Sequence, residues 1–313
     1  MRWRRVAELL ALGVILYFAG SYLSAHWQEV RRHPWELSAA PLAAATALAA
    51  VALVVFGALW ARLLRASGEP VAMVDALSLW FVSNLARYVP GKVWQISGMA
   101  YLARRRGVRA LHAVGASLLL QVLVLVTGVL LLAAWLPSEL ASAYGAGAAG
   151  VAIGCAVVVA VLFLSPLFDR GLARAAALVG QSGAVTTLSI RRKLAFGAGT
   201  ALAWALYGTA FWLFLRGTLG EAPPAMTSAG IFVAGYLGGF LAFFTPGGLG
   251  VREGLYLLLL EPYFPASVAL SAALLSRAWL TAIELLLAAA AGVAGRRHRV
   301  PIRARAAGAS LDG

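Results

Sequence analysis

Charged and amide side chains lie on both sides of a Pro-Gly pair at positions 90 and 91, inside an apolar segment. Asn84, Arg87 and Tyr88 precede the pair, and Lys92 and Gln95 follow it. In a helix the first three share one face, because they lie at i, i+3 and i+4. A helix that begins at Lys92 exposes unpaired amide donors, which together with two cations predict an anion site suited to phosphate. Alternatively, the two cations extend to the lipid headgroup layer.

A second apolar segment contains another Pro-Gly pair at positions 246 and 247. The candidate residues around it are Thr245, Gly247, Gly248, Arg252 and Glu253. Three glycines within four positions allow unusual backbone angles and the close approach of a ligand or helix. We expect Thr245 to satisfy an amide that the break leaves unpaired. Arg252 and Glu253 point about 100° apart on a helix, so each should pair with another group. The alternative is a glycine-rich turn with a solvated charge pair.

Two more charges, Arg277 and Glu284, lie in the last apolar segment. Seven residues separate them by about 10 Å along one helix face, which is too far for easy direct pairing. We therefore predict that Glu253 pairs with Arg277 and that Arg252 pairs with Glu284. Such pairs would form either a structural lock or part of a substrate site. Glu284 would also serve as a proton carrier if transport were coupled to protons.

The composition excludes an ordinary soluble enzyme. Of 313 residues, 62% are apolar and 12% are charged, whereas soluble domains carry about 25% charge. The net charge of +14 is better explained by a charge bias across a bilayer than by a nucleic-acid partner. The one cysteine excludes a disulfide framework, and no metal-ligand spacing of histidine and carboxylate is present, so neither a metal nor another cofactor is expected. No convincing catalytic set appears, and we expect no enzyme activity.

The apolar segments predict an all-α polytopic membrane protein. Six segments are long enough to cross a bilayer: 6–24, 42–64, 108–136, 146–165, 194–219 and 267–295. Two further pairs, 71–89 with 92–104 and 227–244 with 249–260, predict broken or re-entrant helical hairpins, because proline interrupts each. Most basic residues then fall on the side of the amino terminus, with only Arg31, Arg32 and Arg216 opposite. Both termini are therefore predicted in the cytoplasm, with the chain in a bacterial inner membrane.

The order of these segments occurs twice. A shift of 156 residues aligns the two Pro-Gly pairs and lays the second span on residues 198–220. This predicts an inverted repeat, with halves at about 1–146 and 147–295, an arrangement typical of secondary transporters. Accidental symmetry of hydropathy is the alternative. We therefore expect one transmembrane domain over 1–295, followed by a disordered Arg-rich cytoplasmic tail at 296–313.

The two motifs at 84–92 and 245–254 resemble signatures of the lysylphosphatidylglycerol synthase transmembrane family, also called the flippase-like or UPF0104-type family. The likeness covers about residues 6–295. It implies movement of lipids between membrane leaflets. The best-known members carry a synthase domain at the carboxyl end, which this sequence does not show, so aminoacyl transfer is not expected. Other stand-alone relatives look associated with polyprenyl-phosphate or glycolipid assembly.

The resulting hypothesis is a protein that moves an anionic phospholipid or a polyprenyl-phosphate-linked intermediate, with the headgroup bound at the two hairpins. The main alternative is a partner or regulator of a lipid-modifying enzyme or glycosyltransferase, which would bind through basic loops at 104–106 and 191–193. A carrier of soluble small molecules would also fit an inverted repeat. No nucleic-acid partner is expected.

Overall fold

The described part of the molecule is entirely helical. A computed structural model describes residues 17, 20–88, 93–135, 146–178, 188–242, 245 and 248–297. The helices are α1 (Trp27–Arg32), α2 (Ala39–Ala66), α3 (Met73–Asn84), α4 (Val93–Arg105), α5 (Ala110–Trp135), α6 (Ala146–Leu164), α7 (Pro166–Leu178), α8 (Ile190–Leu219), α9 (Ala225–Leu241), α10 (Val251–Leu260) and α11 (Ala266–Arg297). A 3-10 turn, Leu85–Tyr88, follows α3. No strand occurs among these residues.

Four of the six predicted spans are confirmed as helices long and apolar enough to cross a membrane. They are Ala39–Ala66, Ala110–Ala134, Ile190–Leu219 and Ala266–Gly295. The predicted span at 146–165 is the 19-residue helix α6, of which Ile153–Leu164 counts among the shorter apolar segments. Most of the predicted span at 6–24 lies outside the described residues, as does the Arg-rich tail after residue 297. The molecule is therefore a multi-pass membrane protein.

The hairpin arms are short, as the proline positions predict. The first pair, α3 and α4, has 12 and 13 residues, and the second pair, α9 and α10, has 17 and 10. Both Pro-Gly pairs lie outside the described residues. The first arm ends in a 3-10 turn, Leu85–Tyr88, a common way for an α-helix to end. The turn winds more tightly than the α-helix assumed for Asn84, Arg87 and Tyr88. The side chains of Arg87 and Tyr88 lie outside the described residues, so the predicted common face stays a prediction.

Helices α2 and α8 form the most extensive helix contact of the described chain. They run antiparallel, because Gly199 near the beginning of α8 lies against Leu59 in the later part of α2, and Gly217 near the end of α8 lies against Leu42 near the beginning of α2. A Cβ atom added to Gly199 would lie 2.7 Å from Leu59, and one added to Gly217 would lie 2.8 Å from Leu42. Small residues at these points let the two helices approach closely, which is the usual basis of helix association in membranes.

The long helices α5 and α11 each contact a short helix that is distant in the chain. Helix α11 packs on α3, and α5 packs on α9. Gly295 lies against Ser78 so closely that a Cβ atom at this glycine would be 2.4 Å from the serine Oγ. Helix α11 also contacts α10 and the 3-10 turn. It therefore connects the second hairpin to the first.

Lys193, at the beginning of α8, is buried and links three helices. It is 1% exposed, and its Nζ donates to the Phe163 carbonyl and to Asp169 Oδ2, both at 2.9 Å. These contacts join the end of α6 and the beginning of α7 to α8. The prediction of a basic surface loop at 191–193 is therefore wrong for Lys193, because its charge is compensated inside the protein, whereas Arg191 and Arg192 are exposed.

A second buried polar cluster joins Glu69, in the loop before α3, to the beginning of α5. Glu69 is buried. Its Oε1 accepts from Arg109 Nε at 2.6 Å and lies 2.8 Å from His112 Nδ1. Burial opposes ionisation of Glu69, but the hydrogen bond and charge of Arg109 outweigh it, so the pKa of this carboxyl is lowered from 4.5.

We expect Glu69→Gln to lower the melting temperature at neutral pH. A carboxyl whose pKa is lower in the folded state contributes stability above the unfolded pKa of about 4.5, and that contribution is lost as the pH falls through the lower folded pKa. The effect should be about 1 kcal/mol or less, because Arg109 is 65% exposed and water screens the pair. Thermal unfolding in detergent between pH 3 and 7 would measure it.

The matched control for this prediction is Glu221→Gln, which changes an exposed glutamate in the loop after α8. It should leave the melting temperature unchanged across the same pH range. A Glu69→Gln difference that persisted undiminished at pH 3 would contradict the assignment of the stability to the ionised carboxylate.

Candidate functional site: a buried ionic cluster at the second hairpin

Glycines on α9 and in the following turn allow the second hairpin to close tightly. Cβ atoms at Gly235 and Gly238 would lie 2.1 Å from Tyr256 and 2.2 Å from Leu255. Gly248 and Gly250 have φ angles of +72° and +83°, which only glycine adopts without strain. The chain therefore turns sharply into α10 and lays that helix directly against α9.

Glu253 joins the beginning of α10 to α11. Its Oε2 accepts from the Gly250 amide at 2.7 Å, and its Oε1 accepts from Arg277 Nη1 at 2.5 Å. The glutamate is 5% exposed. Burial of a charge this deep requires a partner, and the predicted pairing of Glu253 with Arg277 is confirmed. One carboxylate thus caps its own helix and fixes the next one.

Arg252 lies in an aromatic environment on the other side of α10. Its guanidinium carbon is 5.3 Å from the ring centres of both Phe232 and Tyr256. Its Nε donates to the Tyr256 hydroxyl at 3.1 Å, and that hydroxyl donates to the Phe232 carbonyl at 3.4 Å. In the described part of the chain this is the one hydrogen bond of the Arg252 side chain, and its buried Nη2 has no partner.

Carboxylates balance the arginines within this cluster. Arg252 lies within electrostatic range of both Glu253 and Glu284 without forming an ion pair with either, so the predicted pairing of Arg252 with Glu284 stays a prediction. Two arginines and two glutamates leave these four side chains neutral. The two cations predicted at the first hairpin, Arg87 and Lys92, have side chains outside the described residues. The free end of Arg252 is therefore the cationic group that the described site offers to an anion.

Tyr256 and Phe232 were not among the residues predicted from sequence. Tyr256 follows Arg252 by four positions, a spacing that places two side chains on one helix face. Its contact with Arg252 could therefore have been predicted from the sequence. Phe232 lies on another helix and carries no polar group, so no local pattern indicates it. Both belong to a buried aromatic cluster that also includes Trp204, Tyr207 and Phe211.

Thr245 is buried at the turn of the hairpin. Its hydroxyl donates to the Ala242 carbonyl at 3.4 Å. The same hydroxyl can still accept from an amide, and the adjacent residues 243, 244, 246 and Gly247 lie outside the described residues, so the predicted role of Thr245 stays a prediction.

The first hairpin is described only in part. Asn84 ends α3, Arg87 and Tyr88 belong to the 3-10 turn, and Gln95 lies in the first turn of α4. The side chains of Arg87, Tyr88 and Gln95 lie outside the described residues, as does Lys92 entirely. The predicted anion site at this break therefore stays a prediction. A group of three or more potential metal ligands does not occur among the residues that the structure describes.

The helices and the buried ionic cluster define a class of protein: a multi-pass helical membrane protein with a charged site at a broken hairpin. More particularly, the chain belongs to the family of the lysylphosphatidylglycerol synthase TM region, whose model matches residues 5–288. This match confirms the resemblance seen at the two Pro-Gly motifs and fits a lipid-related function. Comparison with curated proteins and with solved structures gives no match.

Proposed function

We propose that this protein moves an anionic phospholipid or a polyprenyl-phosphate-linked intermediate between the leaflets of a bacterial inner membrane. The headgroup binds at the second hairpin, where Arg252 contacts its phosphate, and the hydrocarbon tails stay in lipid. The first hairpin, with Arg87 and Lys92, supplies further cations. No chemical transformation of the lipid is part of this proposal.

One observation carries the proposal: Arg252 is the charged group of the cluster with an open hydrogen-bonding position. Glu253 and Arg277 use each other, whereas Arg252 Nη2 is buried and has no partner in the described part of the chain. An arginine terminus with unused donors suits a phosphate oxygen. Charges inside a membrane domain are costly and commonly mark a substrate path.

The arrangement of helices supports transport rather than anchoring. We propose that α2 to α5 and α8 to α11 form the two halves of an inverted repeat, since a long helix, two short helices and a long helix recur in that order. Each hairpin then enters and leaves on one side, and both termini lie in the cytoplasm. Repeats of this kind, with broken helices at the site, allow alternating access.

Replacing Arg252 by alanine should abolish most lipid movement. A hydrogen bond to a charged group is worth about 1.5–3 kcal/mol, so we expect the rate to fall at least about tenfold. The measurement is leaflet exchange of fluorescent phosphatidylglycerol, polyprenyl phosphate and phosphatidylcholine in vesicles that contain the purified protein. Movement of an anionic probe in preference to phosphatidylcholine would support the proposal.

Two controls separate the interpretations. Arg62→Ala removes an exposed arginine from α2 and should not change the exchange rate. The double variant Arg191→Ala/Arg192→Ala removes two exposed arginines from the first turn of α8. A regulator that acts through these charges would lose its cellular effect in this variant and keep it in Arg252→Ala. If the folded wild-type protein moved none of the probes, translocation would be excluded for these lipids. If Arg252→Ala exchanged at the wild-type rate, the site assignment would be wrong.

A further inference from the structure

The contacts around Arg252 restrict how this side chain can approach a ligand. Tyr256 holds Nε through its hydroxyl, while the rings of Phe232 and Tyr256 both lie 5.3 Å from the guanidinium carbon. An arginine presents its donors in one plane. With Nε occupied, only the terminal nitrogens of that plane are left for an outside acceptor.

We infer that Tyr256 and Phe232 are positioning residues that hold Arg252 with its terminal nitrogens directed at the phosphate group of a lipid. This inference rests on the proposed function. Neither residue needs to touch the lipid. Their role is to prevent the long arginine side chain from turning toward nearby carboxylates.

The neighbouring carboxylates show why such a restraint is needed. Arg252 lies within electrostatic range of Glu253 and Glu284, and a guanidinium that turned toward Glu284 would lose its charge as a site for an outside anion. The pair between Glu253 and Arg277 already occupies Glu253 Oε1. Binding of Nε by the Tyr256 hydroxyl supplies a neutral partner instead, so the positive charge of Arg252 stays available.

Three contacts hold Tyr256 itself in place. Its hydroxyl donates to the Phe232 carbonyl at 3.4 Å, and its ring occupies the space opposite Gly235, where a Cβ atom would lie 2.1 Å from Tyr256 Cε1. The aromatic ring of Phe211 packs at 5.1 Å on Tyr256. Tyr256 is thus ordered before any lipid arrives, which lowers the entropic cost of binding through Arg252.

Tyr256→Phe tests the inference, because it keeps the ring and removes only the hydroxyl that holds Nε. We expect the apparent dissociation constant for phosphatidylglycerol to rise about tenfold, as for loss of one hydrogen bond to a charged group, with little change in the maximal exchange rate. Native mass spectrometry of the purified protein would measure binding of phosphatidylglycerol and of polyprenyl phosphate, with uncharged diacylglycerol as the reference lipid.

Tyr207→Phe is the matched control. Tyr207 is buried and stacks on the same Phe232 ring at 5.1 Å, whereas the hydrogen bond to Arg252 Nε comes from Tyr256. Its variant should bind phosphatidylglycerol as the wild type does. Phe232→Leu removes the second ring and should weaken binding in the same direction as Tyr256→Phe. In an Arg252→Ala background, Tyr256→Phe should add no further loss, because the two residues act through one contact.

The outcomes separate this inference from the function on which it rests. If Arg252→Ala lost phosphatidylglycerol while Tyr256→Phe and Phe232→Leu bound it like the wild type, the positioning role would be wrong and the proposed site would stand. If the wild type preferred neither phosphatidylglycerol nor polyprenyl phosphate over diacylglycerol, the lipid-headgroup site itself would be wrong. A further loss from Tyr256→Phe in the Arg252→Ala background would also contradict positioning, since Tyr256 would then act independently of Arg252.

Discussion

Replacing Gly248 by alanine is expected to disrupt the second hairpin and to abolish lipid movement. Gly248 has a φ angle of +72°, where an L-residue is strained by about 1–2 kcal/mol. The added Cβ would also lie 2.5 Å from the Gly239 carbonyl oxygen and 2.6 Å from its Cα. These atoms belong to the backbone of α9, so no side-chain rotation can relieve the clash. The two arms of the hairpin must therefore move apart.

Gly254→Ala is the matched control, in the same motif and six residues further along the chain. A Cβ atom at Gly254 would have no heavy atom within 4 Å, and alanine favours a helix interior by about 1 kcal/mol over glycine. This variant should therefore match or exceed the wild type in melting temperature in detergent. Equal melting temperatures and exchange rates for Gly248→Ala and Gly254→Ala would show that the close approach at Gly248 is not required.

Replacing Glu253 by alanine should destabilise the protein by about 3–5 kcal/mol, the usual cost of leaving one member of a buried ion pair alone. The variant loses the 2.5 Å contact with Arg277 and the 2.7 Å bond to the Gly250 amide. Arg277, which is 20% exposed as a side chain, would then lie largely buried without this counter-ion. Unfolding by heat or denaturant in detergent would show the loss.

The double variant Glu253→Ala/Arg277→Ala should recover part of that stability, because the second substitution removes the arginine charge that Glu253→Ala leaves without its counter-ion. Glu261→Ala provides the control, since Glu261 is an exposed glutamate at the other end of α10. It should change the free energy of unfolding by less than about 0.5 kcal/mol. If Glu253→Ala behaved like Glu261→Ala, the ion pair would contribute nothing to the fold.

The pairing of Glu253 with Arg277 was predictable because the cost of an unpaired charge in a membrane leaves few solutions. Only a small number of carboxylates occur in the apolar segments, so the choice of partner was narrow. The surroundings of Arg252 were not predictable in the same way. Phe232 is one apolar residue among many, and its contact with Arg252 depends on how closely the glycines of α9 let α10 approach.

Lys193 illustrates the same limit at the membrane boundary. Its neighbours Arg191 and Arg192 place it in a basic run, which by itself indicates a solvated loop. The structure instead turns Lys193 inward to Phe163 and Asp169. Local composition reports the side of the membrane on which a charge lies, whereas its partner depends on residues about 25 to 30 positions away.

The sequence by itself determined the class of protein, the four confirmed spans, the short hairpin arms and the family. These features depend on hydropathy over about 20 residues and on proline, both of which act locally. Only the tertiary structure decided that Tyr256 and Phe232 surround Arg252, that Thr245 bonds a carbonyl, and that Lys193 is buried. The physical reason is that such contacts depend on the separation of helices distant in the chain, and glycines at the interfaces set that separation to within one methyl group.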